Sequence, residues 1–278
     1  KLKDFVFKYE DLLGKEIWDV LDEKIQEEPG AFLSAINSYA TRKKNIRIYL
    51  LIDEYDNFTN TILSTYGTEF YRKATHGEGF IRGFFNVIKS ATTGTGAALE
   101  RLFITGVSPV TMDDVTSGFN IGTNITNDSW FNDLVGFSEN ELREMLEYYK
   151  EQGVLQESID EIVAMMKPNY DNYCFSEDTL EQCMFNSDMA LYFLKSFVLH
   201  HKKPKEIVDP NIRTDFNKLA YLIKLDHGLG ENFSVIKEIA EQGEIITDIV
   251  THFSALEMTD PSNFKSLLFY FGLLSIKG

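Results

Sequence analysis

Apolar residues near the start of the chain recur at the three- and four-residue spacing of a helix surface. One set precedes Pro29-Gly30, a pair that interrupts helical periodicity, and a second set follows it at Phe32, Ile36 and Tyr39. The chain is therefore expected to open with helices. The first set comprises Leu12, Leu13, Ile17, Val20, Leu21 and Ile25.

The next segment predicts a β-strand. Residues Ile46 to Ile52 read Ile-Arg-Ile-Tyr-Leu-Leu-Ile, a nearly unbroken apolar run of strand length. Such a run is typical of a parallel strand that is covered on both faces. The run ends at Asp53 and Glu54, so two carboxylates follow the strand directly.

A second strand is predicted after a long helical stretch. Residues 61–73 and 78–90 both carry helical periodicity, and the strand is expected from Arg101 to Thr105. Strand, helical crossover and strand in this order indicate a βαβ unit with parallel strands. Ligands collect beyond the carboxyl ends of such strands, so the Asp-Glu pair and Thr105 are expected to share one edge.

Helical signals dominate after residue 136. Ser138 and Glu141 have the spacing of a capping box ahead of an apolar pattern of helical period. With 278 residues the chain is long enough for two domains, each with its own core. We predict a mixed α/β domain over residues 1–135 and a mainly helical domain over 136–278.

A further helix is predicted near the end of the chain. Asp260-Pro261 is a typical helix start, with a capping side chain followed by proline in the first turn. Gly272 is a typical helix stop. Residues Phe264 to Phe271 are therefore expected to form a helix that leads into a final strand.

The net charge of the chain limits the classes of molecule that it is expected to bind. Asp and Glu number 43 against 27 Lys and Arg, which gives a formal net charge of −16. This charge repels phosphate backbones and anionic membrane surfaces, so nucleic acid and membrane are not expected as partners. No run of 18 apolar residues and no signal-like start is present, and a cytoplasmic location is expected.

The two cysteines, Cys174 and Cys183, have no spacing that suits a zinc site or a disulfide scaffold. They agree with a reducing compartment.

The sharpest chemical feature is the segment Ile48-Tyr49-Leu50-Leu51-Ile52-Asp53-Glu54, the pattern of a Walker B strand. A buried strand of this kind places one carboxylate to hold Mg²⁺ through water and the next to activate the attacking water. Asp53 is the predicted magnesium residue and Glu54 the predicted catalytic base. The alternative is a core strand that ends in an acidic turn.

Five stretches of the sequence carry a family resemblance. They are Leu50-Leu51-Ile52-Asp53-Glu54-Tyr55-Asp56, Phe103-Ile104-Thr105-Gly106-Val107-Ser108, Val135-Gly136-Phe137-Ser138-Glu139, Tyr170-Asp171-Asn172-Tyr173-Cys174-Phe175 and Asn186-Ser187-Asp188-Met189-Ala190-Leu191-Tyr192-Phe193-Leu194. Together they resemble the AAA-ATPase-like family, whose members are often fused to a PD-(D/E)XK nuclease-like region. The likeness covers most of the chain and is more specific than any single motif.

The resemblance implies a fold and a site. The expected fold is α/β: an incomplete P-loop NTPase-like parallel sheet with helices, followed by a mainly helical domain in which a winged-helix-like unit is one option. Thr105 takes the place of a polar sensor residue that contacts the attacking water or the γ-phosphate, with Ser108 as a weaker candidate. The alternative is that both side chains satisfy local backbone groups.

The sequence departs from the family at one decisive point, because it contains no G-x-x-x-x-G-K-S/T phosphate-binding loop. The β- and γ-phosphates would lack their main cradle, so little ATP binding is expected from these residues. The resemblance implies that this loop lies upstream and the nuclease-like region downstream. The start at Lys1 without Met and the apolar end at Leu273 to Gly278 also lead us to expect that both ends are cut. ATP and Mg²⁺ are then cofactors of the full-length protein.

Two functions of other classes remain as alternatives. Residues 136–278 are the predicted region of a helical interaction module that binds a protein partner or a second copy of the chain. A metal-dependent nuclease would use Asp53, Glu54 and Asp56, but the lysine of a D…(D/E)-x-K site is missing after Glu54.

Other residues are assigned structural roles. The adjacent His200 and His201 are expected at a solvated helix end, because neighbouring positions on a helix point about 100° apart. Arg213 has acidic neighbours and is expected in a local ion pair. Tyr170, Tyr173 and Phe175 are expected in the core.

Overall fold

A computed structural model describes residues 1–44, 46–93, 97–115, 121–171, 173–209, 231–258 and 260–277. The fold is mixed α/β, as predicted from the sequence, with many helices and a small parallel sheet. Contacts divide the chain into two compact units, Lys1–Thr123 with Asn217–Tyr270, and Asn124–Phe216 with Phe271–Gly278. The domain boundary between residues 135 and 136 stays a prediction. None of the described helices has both the length and the apolar character needed to cross a membrane.

The first unit opens with short helices in place of one regular helix. Gly14 interrupts the run with a φ of 87°, a left-handed conformation that favours glycine. The Asp22 side chain then accepts a hydrogen bond from the Ile25 amide and starts the fourth helix. The helices are α1 (Leu2–Lys8), α2 (Glu10–Leu13), α3 (Ile17–Val20) and α4 (Glu23–Glu27).

Helix α5 (Pro29–Lys44) begins at the proline that was expected to interrupt the pattern. Proline fits the first turn of a helix, where its missing amide hydrogen is not needed. The Glu28 carboxylate accepts a hydrogen bond from the Ala31 amide and caps this turn. The buried side chains of Phe32 and Ile36 confirm the predicted second set.

Strands β1 (Ile48–Ile52) and β2 (Leu99–Ile104) pair in parallel, which confirms both predicted strands and the βαβ order. Leu50 lies opposite Leu102, and Ile52 lies opposite Ile104. One irregularity in the register falls between Ile48 and Tyr49. The crossover contains α6 (Asn57–Thr75), which is broken at Gly67, and α7 (Phe80–Thr92).

The two faces of this sheet differ. Leu50, Ile52, Leu102 and Ile104 pack against the core formed with α5 and α7. On the other face, in contrast, the side chains of Tyr49, Leu51 and Phe103 are 62%, 75% and 42% exposed. The prediction of a strand covered on both faces is therefore wrong for the described residues, because α5 and α7 cover one face only. The open face consists of Tyr49, Leu51, Arg101 and Phe103.

Buried polar contacts join distant segments of the first unit. Asp114, in α8 (Val110–Val115), accepts hydrogen bonds from the Tyr71 hydroxyl at 2.7 Å and from the Ala255 amide at 3.0 Å. Its second oxygen lies 3.7 Å from Nε2 of His76. His76 and Asp114 are remote in sequence, so no local pattern indicates this contact.

The first unit also contains α12 (Glu231–Gln242) and α13 (Pro261–Tyr270). The predicted helix start is confirmed, since the Asp260 carboxylate accepts a hydrogen bond from the Ser262 amide. Gly272 has a φ of 69° just after the helix ends. Described residues 273–277 form no strand, so the predicted final strand is wrong. The winged-helix option finds no support in the described residues.

The second unit is built on three helices, α9 (Glu139–Glu151), α10 (Ile159–Tyr170) and α11 (Ser187–His200). The predicted capping box is present at the start of α9, where Ser138 and Glu141 exchange hydrogen bonds. The largest buried side chains between the helices are Tyr170, Phe185, Phe193 and Phe197. Tyr170 is thus a core residue, as expected, while Tyr173 and Phe175 are half-buried.

Two isolated bridges and two short 3₁₀ helices complete this unit. The bridges pair Phe137 with Phe185 and Tyr173 with Met184. The 3₁₀ helices are Ser129–Phe131 and Glu177–Thr179. Cys174 and Cys183 are both free thiols, and burial raises the pKa of the Cys183 thiol.

The end of α11 is solvated, as predicted. His200 and His201 are exposed, and Nδ1 of His201 lies 3.3 Å from a Glu157 carboxylate oxygen. Arg213 lies outside the described residues.

An ion-pair network joins α9 to α10. The Glu139 carboxylate is 2.7 Å from Nζ of Lys167 and 2.8 Å from Nε of Arg143, and Arg143 also reaches Asp160 at 2.7 Å. Hydrogen bonds from Lys167 first, and then from Arg143, hold the pKa of the Glu139 carboxyl below its usual value.

Glu139→Gln is expected to destabilise the second unit at neutral pH by about 0.2–1 kcal/mol, the range of solvent-screened pairs. Because the pKa of Glu139 is lower in the folded state, its stabilisation is complete above the unfolded pKa and is lost as the pH falls through the folded pKa. Amide hydrogen exchange in α9 and α10 measures this effect. A difference between variant and wild type that persists below the folded pKa would contradict it, and Glu144→Gln, an exposed change on α9, is the control.

Candidate active site

The candidate site lies where the two parallel strands end. The strand hydrogen bonding continues past both ends, since the Thr105 amide donates to the Ile52 carbonyl and the Tyr55 amide donates to the Thr105 carbonyl. These two bonds measure 2.8 and 3.0 Å. The residues that follow β1 and β2 are therefore held side by side, as the βαβ prediction required.

Asp53 and Thr105 are in direct contact at this edge. The Thr105 hydroxyl donates a hydrogen bond of 2.5 Å to Oδ1 of Asp53. Asp53 is exposed and Thr105 is half-buried, so solvent reaches the carboxylate while the backbone beneath it is fixed. The structure thus brings together two of the three residues chosen from the sequence, and their chemical roles stay predictions.

Glu54, the third chosen residue, has an unusual backbone. Its φ is 52°, a left-handed conformation that costs a residue with a side chain about 1–2 kcal/mol. The carboxylate accepts a 2.9 Å hydrogen bond from the Asn57 side chain, and its carbonyl accepts one from the Asn57 amide. Such conformations persist only where the surroundings enforce them, and they concentrate at functional sites.

Asp56 is buried beside the exposed pair, with a residue exposure of 1%. Its carboxylate accepts hydrogen bonds from the amides of Val107 and Ser108 at 3.1 and 3.0 Å. It also accepts bonds from the Ser108 hydroxyl at 3.3 Å and from the Asn60 side chain at 2.8 Å. The carboxylate therefore faces protein donors, in an environment unlike that of a metal ligand in the nuclease alternative.

Ser108 is placed away from the sensor role considered for it. It is buried and turns both its amide and its hydroxyl to Asp56. The alternative of a serine that satisfies local backbone groups does not describe these contacts either, because Asp56 lies 52 positions away in the sequence.

Gly106 allows the two loops to approach closely. A Cβ atom at this position would lie 2.2 Å from the Tyr55 ring and 2.8 Å from Oδ1 of Asp56. The Tyr55 hydroxyl reaches across to the Ser108 carbonyl, which it contacts as a hydrogen-bond donor. Glycine is therefore required here by the lack of space for any side chain.

The oxygen donors at the edge are of the type that hard cations such as Mg²⁺ prefer. Mg²⁺ is bound by oxygen ligands and usually keeps several of its waters. Asp53 supplies an exposed carboxylate and Thr105 a hydroxyl. Within the described ranges, no group of three His, Cys, Asp or Glu side chains could cage a metal ion. The two oxygen ligands fit Mg²⁺ that is held through water, and binding of the ion by Asp53 stays a prediction.

The fold and the edge define a class of protein: a mixed α/β chain with an acidic site at the carboxyl ends of parallel strands. Residues 1–116 match the model of the AAA-ATPase-like family, which is described as a predicted AAA-ATPase. This match confirms the family resemblance over those residues and agrees with an NTPase-like function at a coarse level. Comparison with curated proteins and with solved structures gives no match. The nuclease fusion and the interaction module stay predictions.

The structural roles of two residues of the site were not predicted from the sequence. Asp56 was assigned a role only as a possible metal ligand, and Gly106 appeared only within a stretch that resembles the family. The available signal was the combination of an acid shortly after one strand with a glycine directly after the next.

Gly106→Ala is expected to lower the free energy of unfolding of the first unit by about 1–3 kcal/mol, because the new methyl group overlaps the Tyr55 ring. Gly83→Ala is the matched control. Gly83 lies inside α7 with open space around its Cα, so alanine there should raise stability by about 0.5–1 kcal/mol. Thermal unfolding of both variants tests the opposite signs, and equal shifts would contradict the packing argument.

Replacement of Glu54 tests its backbone strain. Glu54→Gly and Glu54→Ala both remove the carboxylate, but only alanine keeps a Cβ at a φ of 52°. The glycine variant is therefore expected to be more stable than the alanine variant by about 1 kcal/mol. Urea unfolding measures the difference, and an alanine variant as stable as the glycine variant would show that this backbone is not strained.

Proposed function

We propose that residues 1–116 form the magnesium-binding and water-activating half of an ATP-hydrolysing site. The observation that carries the proposal is the 2.5 Å hydrogen bond between Thr105 and Asp53 at the ends of two parallel strands, with Glu54 next to it. The family match over the same residues supports it.

Each residue has a distinct role in this proposal. Asp53 holds Mg²⁺ through water, and the ion neutralises charge on the phosphates when it is bound. Thr105 orients Asp53 through its hydroxyl and lies within reach of the attacking water or the terminal phosphate. Glu54 is exposed at the same edge and accepts a proton from the attacking water.

The proposed site needs a phosphate-binding loop that these 278 residues do not contain. Without a glycine-rich nest and its lysine, the phosphates lack most of their hydrogen-bond donors and their counter-charge. We therefore propose that these residues alone do not hydrolyse ATP, and that hydrolysis requires a loop from outside them.

The test is ATP hydrolysis by the natural polypeptide that carries these residues. Glu54→Gln is expected to lower kcat at least about 100-fold, the range for loss of a general base, while ATP binding persists. Asp53→Asn should raise the Mg²⁺ concentration that gives half-maximal rate.

Glu100→Gln provides the matched control, since Glu100 is an exposed residue of β2 remote from the carboxyl edge. It should hydrolyse ATP at the wild-type rate. Wild-type hydrolysis by Glu54→Gln would refute the proposal. Equal hydrolysis by the natural polypeptide and by the 278 residues alone would refute the need for an outside loop.

A further inference from the structure

Asp56 joins the two loops that carry the candidate site. It lies two residues after Glu54, and it accepts hydrogen bonds from Val107 and Ser108, which closely follow Thr105. We propose that Asp56 is a positioning residue, which holds Glu54 and the Thr105–Asp53 pair in their active arrangement without touching substrate. This inference rests on the proposed function.

The hydrogen-bond donors around the buried Asp56 side chain explain why a carboxylate is needed at this position. A buried carboxylate is stable only when it is surrounded by donors. The Asp56 carboxylate accepts four hydrogen bonds, from two backbone amides, one hydroxyl and one side-chain amide. An asparagine offers a single oxygen acceptor, and its NH₂ group would face at least one of these donors.

The position of Asp56 in the loop links it to the reacting groups. The backbone turns sharply at Glu54, whose φ is 52°, and Asp56 anchors the chain immediately after that turn. In the loop after β2, the Val107 and Ser108 amides that bind Asp56 follow directly after Gly106, which has no room for a Cβ. The Thr105 hydroxyl is thus fixed at 2.5 Å from Asp53 by backbone on both sides.

The burial of Asp56 favours a positioning role over a catalytic one. At 1% exposure Asp56 cannot reach a substrate, so its effect must pass through Glu54, Asp53 or Thr105. Loss of the hydrogen bonds to the Asp56 carboxylate should allow the two loops to separate. Small displacements of reacting groups lower the rate of the chemical step more than they weaken binding.

The experiment is a double-mutant cycle for ATP hydrolysis by the natural polypeptide that carries these residues. Asp56→Asn should lower kcat by about 10–100-fold and change KM for ATP by less than about threefold. Thr105→Ala should lower kcat by about tenfold in the wild type but by less than about twofold when Asp56→Asn is present, because the hydrogen bonds to the Asp56 carboxylate, which align Thr105, are already lost.

One control and one alternative variant accompany the cycle. Asp19→Asn changes an exposed acid of α3 and should leave kcat unchanged. If Asp56→Asn does not fold, Asn60→Ala removes only the 2.8 Å bond and should lower kcat by about threefold or more, with the same reduced effect of Thr105→Ala.

The outcomes separate the inference from the proposed function. Normal kcat in a folded Asp56→Asn variant, or equal effects of Thr105→Ala in both backgrounds, would overturn the positioning role while Glu54→Gln still abolishes hydrolysis. Wild-type hydrolysis by Glu54→Gln would overturn the proposed function and the inference with it. A non-additive cycle beside an inactive Glu54→Gln supports both.

Discussion

Parallel pairing of β1 and β2 is the constraint on which the first unit depends. Parallel strands cannot be joined by a tight turn, so the chain must cross over, and α6 and α7 make up this crossover. The same pairing brings both carboxyl ends to one edge. Asp53 therefore meets Thr105, although 52 positions separate them. The crossover helix α7 also supplies the packing for one face of the sheet.

The loops that follow β1 and β2 leave the same edge of the sheet. Asp56, in the first loop, holds them together by accepting hydrogen bonds from the second. Burial of a carboxylate is unfavourable unless hydrogen bonds replace its water, and bonds to a charged acceptor contribute more than neutral ones. The four donors to the Asp56 carboxylate come from the loop after β2 and from α6. The buried acid therefore gives the exposed acids their fixed geometry, with Gly106 leaving the space for close approach.

The features that the sequence predicted depend on local patterns. The apolar run of β1 and the capping box at Ser138 each lie within a few residues, and both are present. The role of Asp56 depends on amides 51 and 52 positions away. The left-handed backbone of Glu54 occurs at a residue type that seldom adopts it. No local pattern contains either fact. The same limit explains why β1 was expected to be covered on both faces: its composition fits two covers, while the described helices provide one.

The open face of the sheet bears on the proposed function. Parallel sheets occur almost only with both faces covered, yet Tyr49, Leu51 and Phe103 are exposed here, with the Arg101 guanidinium 5.9 Å from the Tyr49 ring. The proposed site lacks a phosphate cradle at the carboxyl edge of these same two strands. Within the described ranges, the uncovered face and the incomplete site therefore belong to the same two strands.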